Sequence, residues 1–213
     1  MQELEWSEVF REFLKRQQGS DPAHDLGHIE RVVRNAKRLS DAEGADWTVV
    51  MPAAWLHDCV FVGKDSPQRS QASLLSAERA ISLLKELDYP CADMARIHHA
   101  IAAHSFSANI ETESLEARVL QDADRIDALG AVGLSRCLML GGHMGTELMS
   151  PIDPFCEERE PDDSRFTIDH FYRKLLRLES TMKTASGRVL ATERANVLRD
   201  YLAQLREEVF GNV

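Results

Sequence analysis

Trp47-Thr-Val-Val-Met-Pro-Ala-Ala-Trp-Leu-His57-Asp58 is apolar on almost every side until its last two residues. A helix that is apolar all round belongs in an interior. This one ends in an imidazole beside a carboxylate, and burying a charge is costly unless it is paired or binds a metal. The dipeptide alone says little, because histidine also caps helix C-termini in ordinary proteins. Its weight comes from His28 before it and Asp124 after it. Pro52 is harmless only in a first helical turn, where its N–H would be orphaned anyway. The N-cap is therefore expected near Thr48, with His57-Asp58 reached after about three turns.

Working outward, apolar spacing predicts helices on both sides. One runs from Glu5 to Gln17 with Trp6, Val9, Phe10, Phe13 and Leu14 on one face. After a break at Gly19–Ala23, His24-Asp-Leu-Gly-His28 opens a second, with Ile29, Val32, Val33, Ala36 and Leu39 inward and Gly44 as its stop. Phe61 to Pro67 reads as a loop. Ser70 to Leu87 follows as a long helix with Leu74, Ala77, Ala80, Ile81 and Leu84 inward, and Tyr89-Pro90 breaks it. Ala92 to His104, Ser114 to Leu129 and Ala131 to Leu140 are further helices. Gly141 to Arg165 is rich in Gly and Pro and carries an acidic run from Glu157 to Asp163. A loop that long inside a compact domain is usually functional or disordered, and this one is a candidate lid or specificity element. Ile168 to Leu178 is a helix. A closing helix from Ser186 to Val209 carries Leu190, Val197, Leu198, Tyr201, Leu202, Leu205 and Val209 as one stripe.

No stretch alternates as a strand does, and no internal repeat or domain linker is evident, so the expected fold class is all-α. The 213 residues suit one domain, with a core over about 22–130 and C-terminal helices over about 167–210 packing on it. The composition, 44% hydrophobic and 28% charged, is that of a soluble globular chain. No run approaches the roughly 18 apolar residues of a membrane span. The acidic start lacks the basic region of a signal peptide, and a cytoplasmic location is expected. Cys59, Cys91, Cys137 and Cys156 form no Cys-x-x-Cys and read as reduced thiols. The net charge of −10 argues against a nucleic-acid surface. It leaves room for a small polyanion, because a bound metal and a few basic side chains reverse the local field.

The chemistry rests on His28, His57, Asp58 and Asp124. Consecutive helical residues point about 100° apart, so His57 and Asp58 grip one ion only beside the ridge between them. Asp124 shares a face with Leu120, Asp122 points away from it, and Asp127 is a neighbour one turn on. Two imidazoles and two carboxylates suit Mn²⁺, Fe²⁺, Zn²⁺ or Ni²⁺, with hard oxygens favouring Mn²⁺ or Mg²⁺. A six-coordinate ion keeps two positions for water and substrate oxygen.

This H…HD…D pattern resembles that of the HD-domain metal-dependent phosphohydrolases. The likeness extends to His24-Asp-Leu-Gly-His28-Ile-Glu-Arg-Val, Ala100-Ile-Ala-Ala-His-Ser-Phe-Ser107, Gln121-Asp-Ala-Asp-Arg-Ile-Asp-Ala-Leu-Gly130 and His170-Phe-Tyr-Arg-Lys-Leu-Leu176, and runs from about residue 22 to about 208. The resemblance implies an all-α HD fold, a divalent cation (Mn²⁺ favoured; Mg²⁺, Fe²⁺, Ni²⁺, Co²⁺ or Zn²⁺ as others) and hydrolysis of a phosphate ester or anhydride. It implies a small phosphorylated partner, a nucleotide above all, with triphosphates cut to monophosphate and pyrophosphate. It also implies metal binding by His28, His57, Asp58 and Asp124, proton acceptance by Asp58, and phosphate contacts from Arg69 and Lys174.

Plainer readings stand beside these. His24-x-x-x-His28 resembles a zinc-protease helix, but Asp25 and Gly27 do not fit it, and His24 and Asp25 read as a cap or as orienting His28. The cluster His98, His99 and His104 is a solvated side, a phosphate and proton site, or a second metal site, with His104 the member favoured for catalysis and substrate binding. The crowd Asp122, Asp124 and Asp127 reads equally as a solvated face, with only Asp124 taken as a ligand. Arg69, Arg125 and Lys174 read equally as surface charge. Rival functions are an HD-fold nucleotide phosphatase or phosphodiesterase, a di-iron oxygenase using His99 and His104, and a non-catalytic nucleotide-binding module.

Overall fold

A computed structural model describes residues 3–17, 26–63, 66, 68–90, 93–105 and 108–211. The break at Gly19–Ala23, the roles read for His24 and Asp25, and Cys91 lie outside the described residues. The secondary structure is helical throughout, apart from one isolated parallel bridge between Glu147 and Phe166 among the described residues. Two compact units divide the chain at Asp124 and Arg125, inside one helix.

The first unit holds α1 (Glu3–Gln17), α2 (Leu26–Glu43), α3 (Trp47–Leu56), α4 (Ala72–Glu86), α5 (Met94–His104) and most of α6 (Leu115–Asp127). Its centre is α3, which packs against α1, α2, α4 and α5. Every residue from Val49 to Leu56 is buried, as its all-round apolar sequence demands. Trp6, Phe10 and Leu14 of α1 cover it, and the Arg11 guanidinium lies 5.3 Å above the Trp55 ring. Gly44 takes φ +75° just past α2, a conformation that is cheap only without a Cβ.

The start of α3 corrects the sequence reading. Asp46, not Thr48, is the N-cap, and its carboxylate accepts the Thr48 N–H at 3.0 Å. Pro52 is therefore the sixth helical residue rather than a first-turn one. Its missing N–H would have bonded the Thr48 carbonyl, and the Tyr89 hydroxyl donates to that carbonyl instead, at 3.1 Å. A tertiary donor thus makes the proline tolerable. On α4 the buried face is rotated from the one expected. Ser73, Ser76, Ala77, Ala80, Leu83 and Leu84 are buried, whereas Leu74 is exposed and Ile81 half-buried. Two serines lie inward because each bonds backbone there: Ser73 Oγ donates to Ala102 O, and Ser76 Oγ accepts from Val60 N. Val33 of α2 is likewise only half-buried.

The second unit holds the end of α6, α7 (Gly130–Met144), a helical run over residues 169–181 and α9 (Ala185–Phe210). The run is a π-helix over Phe171–Leu175, one α turn, α8 (Leu176–Leu178), and a 3-10 turn over Glu179–Thr181. The stretch expected to be loop from Gly141 is still helical as far as Met144. Gly141 lies where a Cβ would come within 2.2 Å of Thr167 Oγ1, so its role is close packing. The rest of the loop is tied down internally. Asp153 accepts the N–H groups of Glu157, Glu158 and Arg159, and Arg159 forks onto the fully buried Asp169. On α9 the stripe is narrower than expected, because Val197 and Val209 face solvent while Ala191 and Ala195 are buried.

Candidate metal centre

Each candidate ligand is delivered by the end or buried face of a helix in the first unit. His57 is the C-cap of α3, and Asp58 follows it. His104 is the last residue of α5. His28 lies in the first turn of α2, and Asp124 on α6. The last carbonyls of a helix have no partner within it. On α5 they are satisfied by side chains: Ile101 O by His104 Nδ1 at 2.6 Å, Ala102 O by Ser73 Oγ at 2.9 Å, and Ala103 O by Gln121 Nε2 at 2.9 Å. On α3, His57 Nδ1 donates to Ala54 O at 2.8 Å. Both imidazoles therefore carry their proton on Nδ1 and turn Nε2 inward, the orientation a metal-binding histidine needs.

The inward atoms converge. Asp124 Oδ1 lies 3.4 Å from His28 Nε2 and 4.0 Å from His57 Nε2, and Asp58 Oδ2 lies 3.7 Å from His57 Nε2. One atom each of His28, His57 and Asp58 fall within 4.8 Å of one another. Asp58 turns its other oxygen, Oδ1, to His104 Nε2 at 3.5 Å. Donors on one cation with bonds of about 2.1 Å sit at most about 4.2 Å apart, and the pair separations of 3.4, 3.7 and 4.0 Å fall inside that limit. The His57 side chain is wholly buried, and its Nε2 has no hydrogen-bond partner among the described residues. A buried acceptor without a donor is costly, and a cation satisfies it. The donor set thus fits a divalent ion with mixed nitrogen and oxygen ligands. The imidazoles form the closed side. The carboxylates, with Asp58 and Asp124 side chains 23% and 28% exposed, form the open one.

The electrostatics follow from this split. Burial pushes the His57 imidazole down to about 4, so its Nε2 lone pair is free at neutral pH. Burial also works against the His104 cation, but the adjacent Asp58 outweighs it and holds that proton above the ordinary histidine range. Burial would raise the Asp124 carboxyl, yet His28, with His57 and His104 behind it, brings it down to about 2.

Other expected site residues fall differently. His99 Nε2 accepts the Glu113 N–H at 3.1 Å, so it anchors a loop, and His104 is the member of its cluster that faces Asp58. The alternative reading of a solvated carboxylate face on α6 does not hold, because Asp122 and Asp127 are fully buried and Asp127 pairs with Arg136 at 2.8 Å. Arg69 donates from Nη1 to Val62 O at 2.9 Å and braces the loop that leaves Asp58. Lys174 is exposed on the π-helix of the second unit. Arg125 donates to Thr181 O within that unit and is structural. Sequence reasoning missed Asn35 and Gln121, which pin α6 by bonding Ala123 O and Ala103 O. The signal was present, since each is a polar residue in phase with a buried face. Cys59, Cys137 and Cys156 are free thiols.

A helical fold that gathers two histidines and two aspartates from two helices and the end of a third defines a class of metal-centre hydrolases. The HD domain family profile matches residues 25–129, which carry all four. YpgQ of Bacillus subtilis (strain 168) is 31% identical over 216 residues, spanning 99% of this chain and 97% of YpgQ. The crystal structure of YpgQ in complex with ADP superposes with a TM-score of 0.75 at 31% identity, covering 99% of this chain and 98% of that one. An HD-superfamily hydrolase from Bacillus thuringiensis superposes with a TM-score of 0.77 at 28% identity, covering 99% and 100%. The chain belongs to the HD-domain superfamily of hydrolases. Among the described residues no helix is long and apolar enough to cross a membrane.

Proposed function

We propose that this chain is a divalent-metal-dependent phosphohydrolase that cuts nucleoside triphosphates to monophosphate and pyrophosphate. The observation that carries the metal reading is His57 Nε2, buried without a hydrogen-bond partner and ringed by His28, Asp58 and Asp124. YpgQ, whose structure holds ADP, supports a nucleotide as the ligand. His28, His57, Asp58 and Asp124 hold the cation, with Mn²⁺ or Mg²⁺ favoured by the two carboxylates. When bound, it supplies Lewis acidity toward water and a phosphoryl oxygen.

The chain's own groups do the rest. Asp58 Oδ1 is turned away from His57 toward His104 and accepts the proton of the attacking water. His104 holds its proton above the ordinary range and donates it to phosphate oxygen. Arg69 uses one nitrogen on Val62 O and offers its other N–H groups to phosphate, and Lys174 adds an exposed point charge. With the β- and γ-phosphates toward these cations, the attacked phosphorus is the α, and the basic groups neutralise the departing pyrophosphate.

The test is a panel of nucleotides with Mn²⁺, Mg²⁺, Co²⁺ and Ni²⁺, assayed separately for orthophosphate and pyrophosphate. Monophosphate with pyrophosphate is expected, with diesters and protein phosphates poor substrates. Orthophosphate with a nucleoside diphosphate overturns the orientation. Tight nucleotide binding without turnover in any metal makes the chain a binding module.

A further inference from the structure

The nucleotide reading leaves the base without a recognised contact, and one side chain three residues along from Asp58 has an unused aromatic face. Phe61 stands three residues after Asp58 and is 59% exposed. Among the described residues, two of the exposed large apolar side chains are aromatic, Phe61 and Phe210. Phe210 contacts the Phe155 ring and the Arg206 guanidinium, whereas Phe61 has no ring or cation contact among the described residues. A single exposed apolar side chain is ordinary on a protein surface. What distinguishes Phe61 is that its loop is held on both sides. Cys59 and Val62 are buried, the Cys59 thiol donates to Ser76 O, Val60 N–H donates to Ser76 Oγ, and Val62 O receives the Arg69 guanidinium. The backbone is thus anchored at residues 59, 60 and 62 while the ring between them points outward.

We infer that Phe61 is a nucleobase-binding residue whose ring stacks on the base. Three extended residues span no more than about 11 Å, so the Phe61 Cα lies within that distance of the Asp58 Cα. The separation of a nucleotide's base from its α-phosphate is of the same order. That bound allows the ring to reach a base whose α-phosphate is held at Asp58. An aromatic on an anchored backbone gives base affinity at reduced ordering cost, tolerates every base, and favours the larger π-face of purines. The inference rests on the nucleotide reading above and adds the residue that stacks on the base.

The test compares a non-hydrolysable nucleoside triphosphate analogue with inorganic tripolyphosphate, both titrated with Mg²⁺ into the full chain. Phe61→Ala and Phe61→Leu are expected to weaken the nucleotide analogue about tenfold more than they weaken tripolyphosphate. Phe61→Trp retains nucleotide affinity. Leu keeps apolar bulk without a π-face, so it separates stacking from simple burial. Base proton resonances are expected to shift upfield with the wild type and Phe61→Trp and to stay in place with Phe61→Leu. Equal weakening of both ligands, or no weakening of either, overturns the stacking role while leaving the nucleotide reading intact. A wild type that binds tripolyphosphate and not the nucleotide overturns both.

Discussion

His57 and His104 end two different helices in the same way and meet with ring planes at 85° and centroids 4.9 Å apart. Each gives its Nδ1 proton to the carbonyl three residues back, which leaves both Nε2 atoms facing Asp58. The helix ends settle the tautomers, and the tautomers settle which atoms face the cluster. Asp58 then divides its two oxygens between them, one toward the cation position and one toward a proton donor.

That division separates binding from chemistry by mutation. Asp58→Ala removes a ligand and is expected to lose metal and activity together, with affinity falling beyond the 10- to 100-fold typical of outer-shell changes. Lys174→Ala removes only phosphate contact and is expected to keep the metal while KM rises or turnover falls. Metal content after dialysis, measured beside steady-state kinetics, checks this. Equal metal loss in the two variants would show that Lys174 is misassigned.

The pH dependence of the metal-free protein has a definite sign. His57 is depressed from 6.5 to about 4 in the fold, so the unfolded chain takes up its proton first as pH falls. Stability therefore drops between pH 6.5 and 4, by about 3 kcal/mol at the limit. His104 is raised, so its contribution is already complete below 6.5 and is lost only as pH rises through its folded pKa. Asp124 adds a further loss as pH falls from 3.8 to about 2. Denaturant unfolding of metal-free wild type and His57→Asn at several pH values isolates the His57 contribution. A stability difference that stays constant from pH 6.5 to 4.5 contradicts it.

The proline in α3 makes a coupling prediction. Tyr89→Phe leaves the Thr48 carbonyl without its hydroxyl donor and is expected to cost about 1 kcal/mol. Pro52→Ala restores a backbone N–H to that carbonyl, so in its background the same change is expected to cost much less. A double-mutant cycle reads the coupling as about 0.5–1 kcal/mol. Strictly additive effects would mean that the hydroxyl does not replace the missing N–H.

Much of this was legible without coordinates. All-round apolarity marked α3 as the buried centre, and the period of 3.6 placed the other helices within a few residues of their observed ends. Local signals served less well where a distant group intervened. Asp46 could start α3 because the Tyr89 hydroxyl, 41 positions from Thr48, takes the carbonyl that Pro52 leaves without a donor. Ser73 and Ser76 turned inward on α4, displacing Leu74, because carbonyl and N–H groups of other segments awaited them. The acidic Glu157–Asp163 run lies in the stretch read as a candidate lid or specificity element, yet Arg159 within it forks onto buried Asp169.

The sequence by itself determined the helical class and which side chains form the candidate centre, because apolar period and ligand chemistry are properties of residues along the chain. Tertiary structure alone decided how those side chains present themselves. Nothing local says that His57 Nε2 is buried with no hydrogen-bond partner among the described residues, that Asp58 faces two imidazoles, or that His99 is spent on Glu113 N–H while His104 is not. Hydrogen-bond directions and desolvation depend on groups that meet only after folding, so protonation and orientation at the centre are outcomes of packing rather than of spacing.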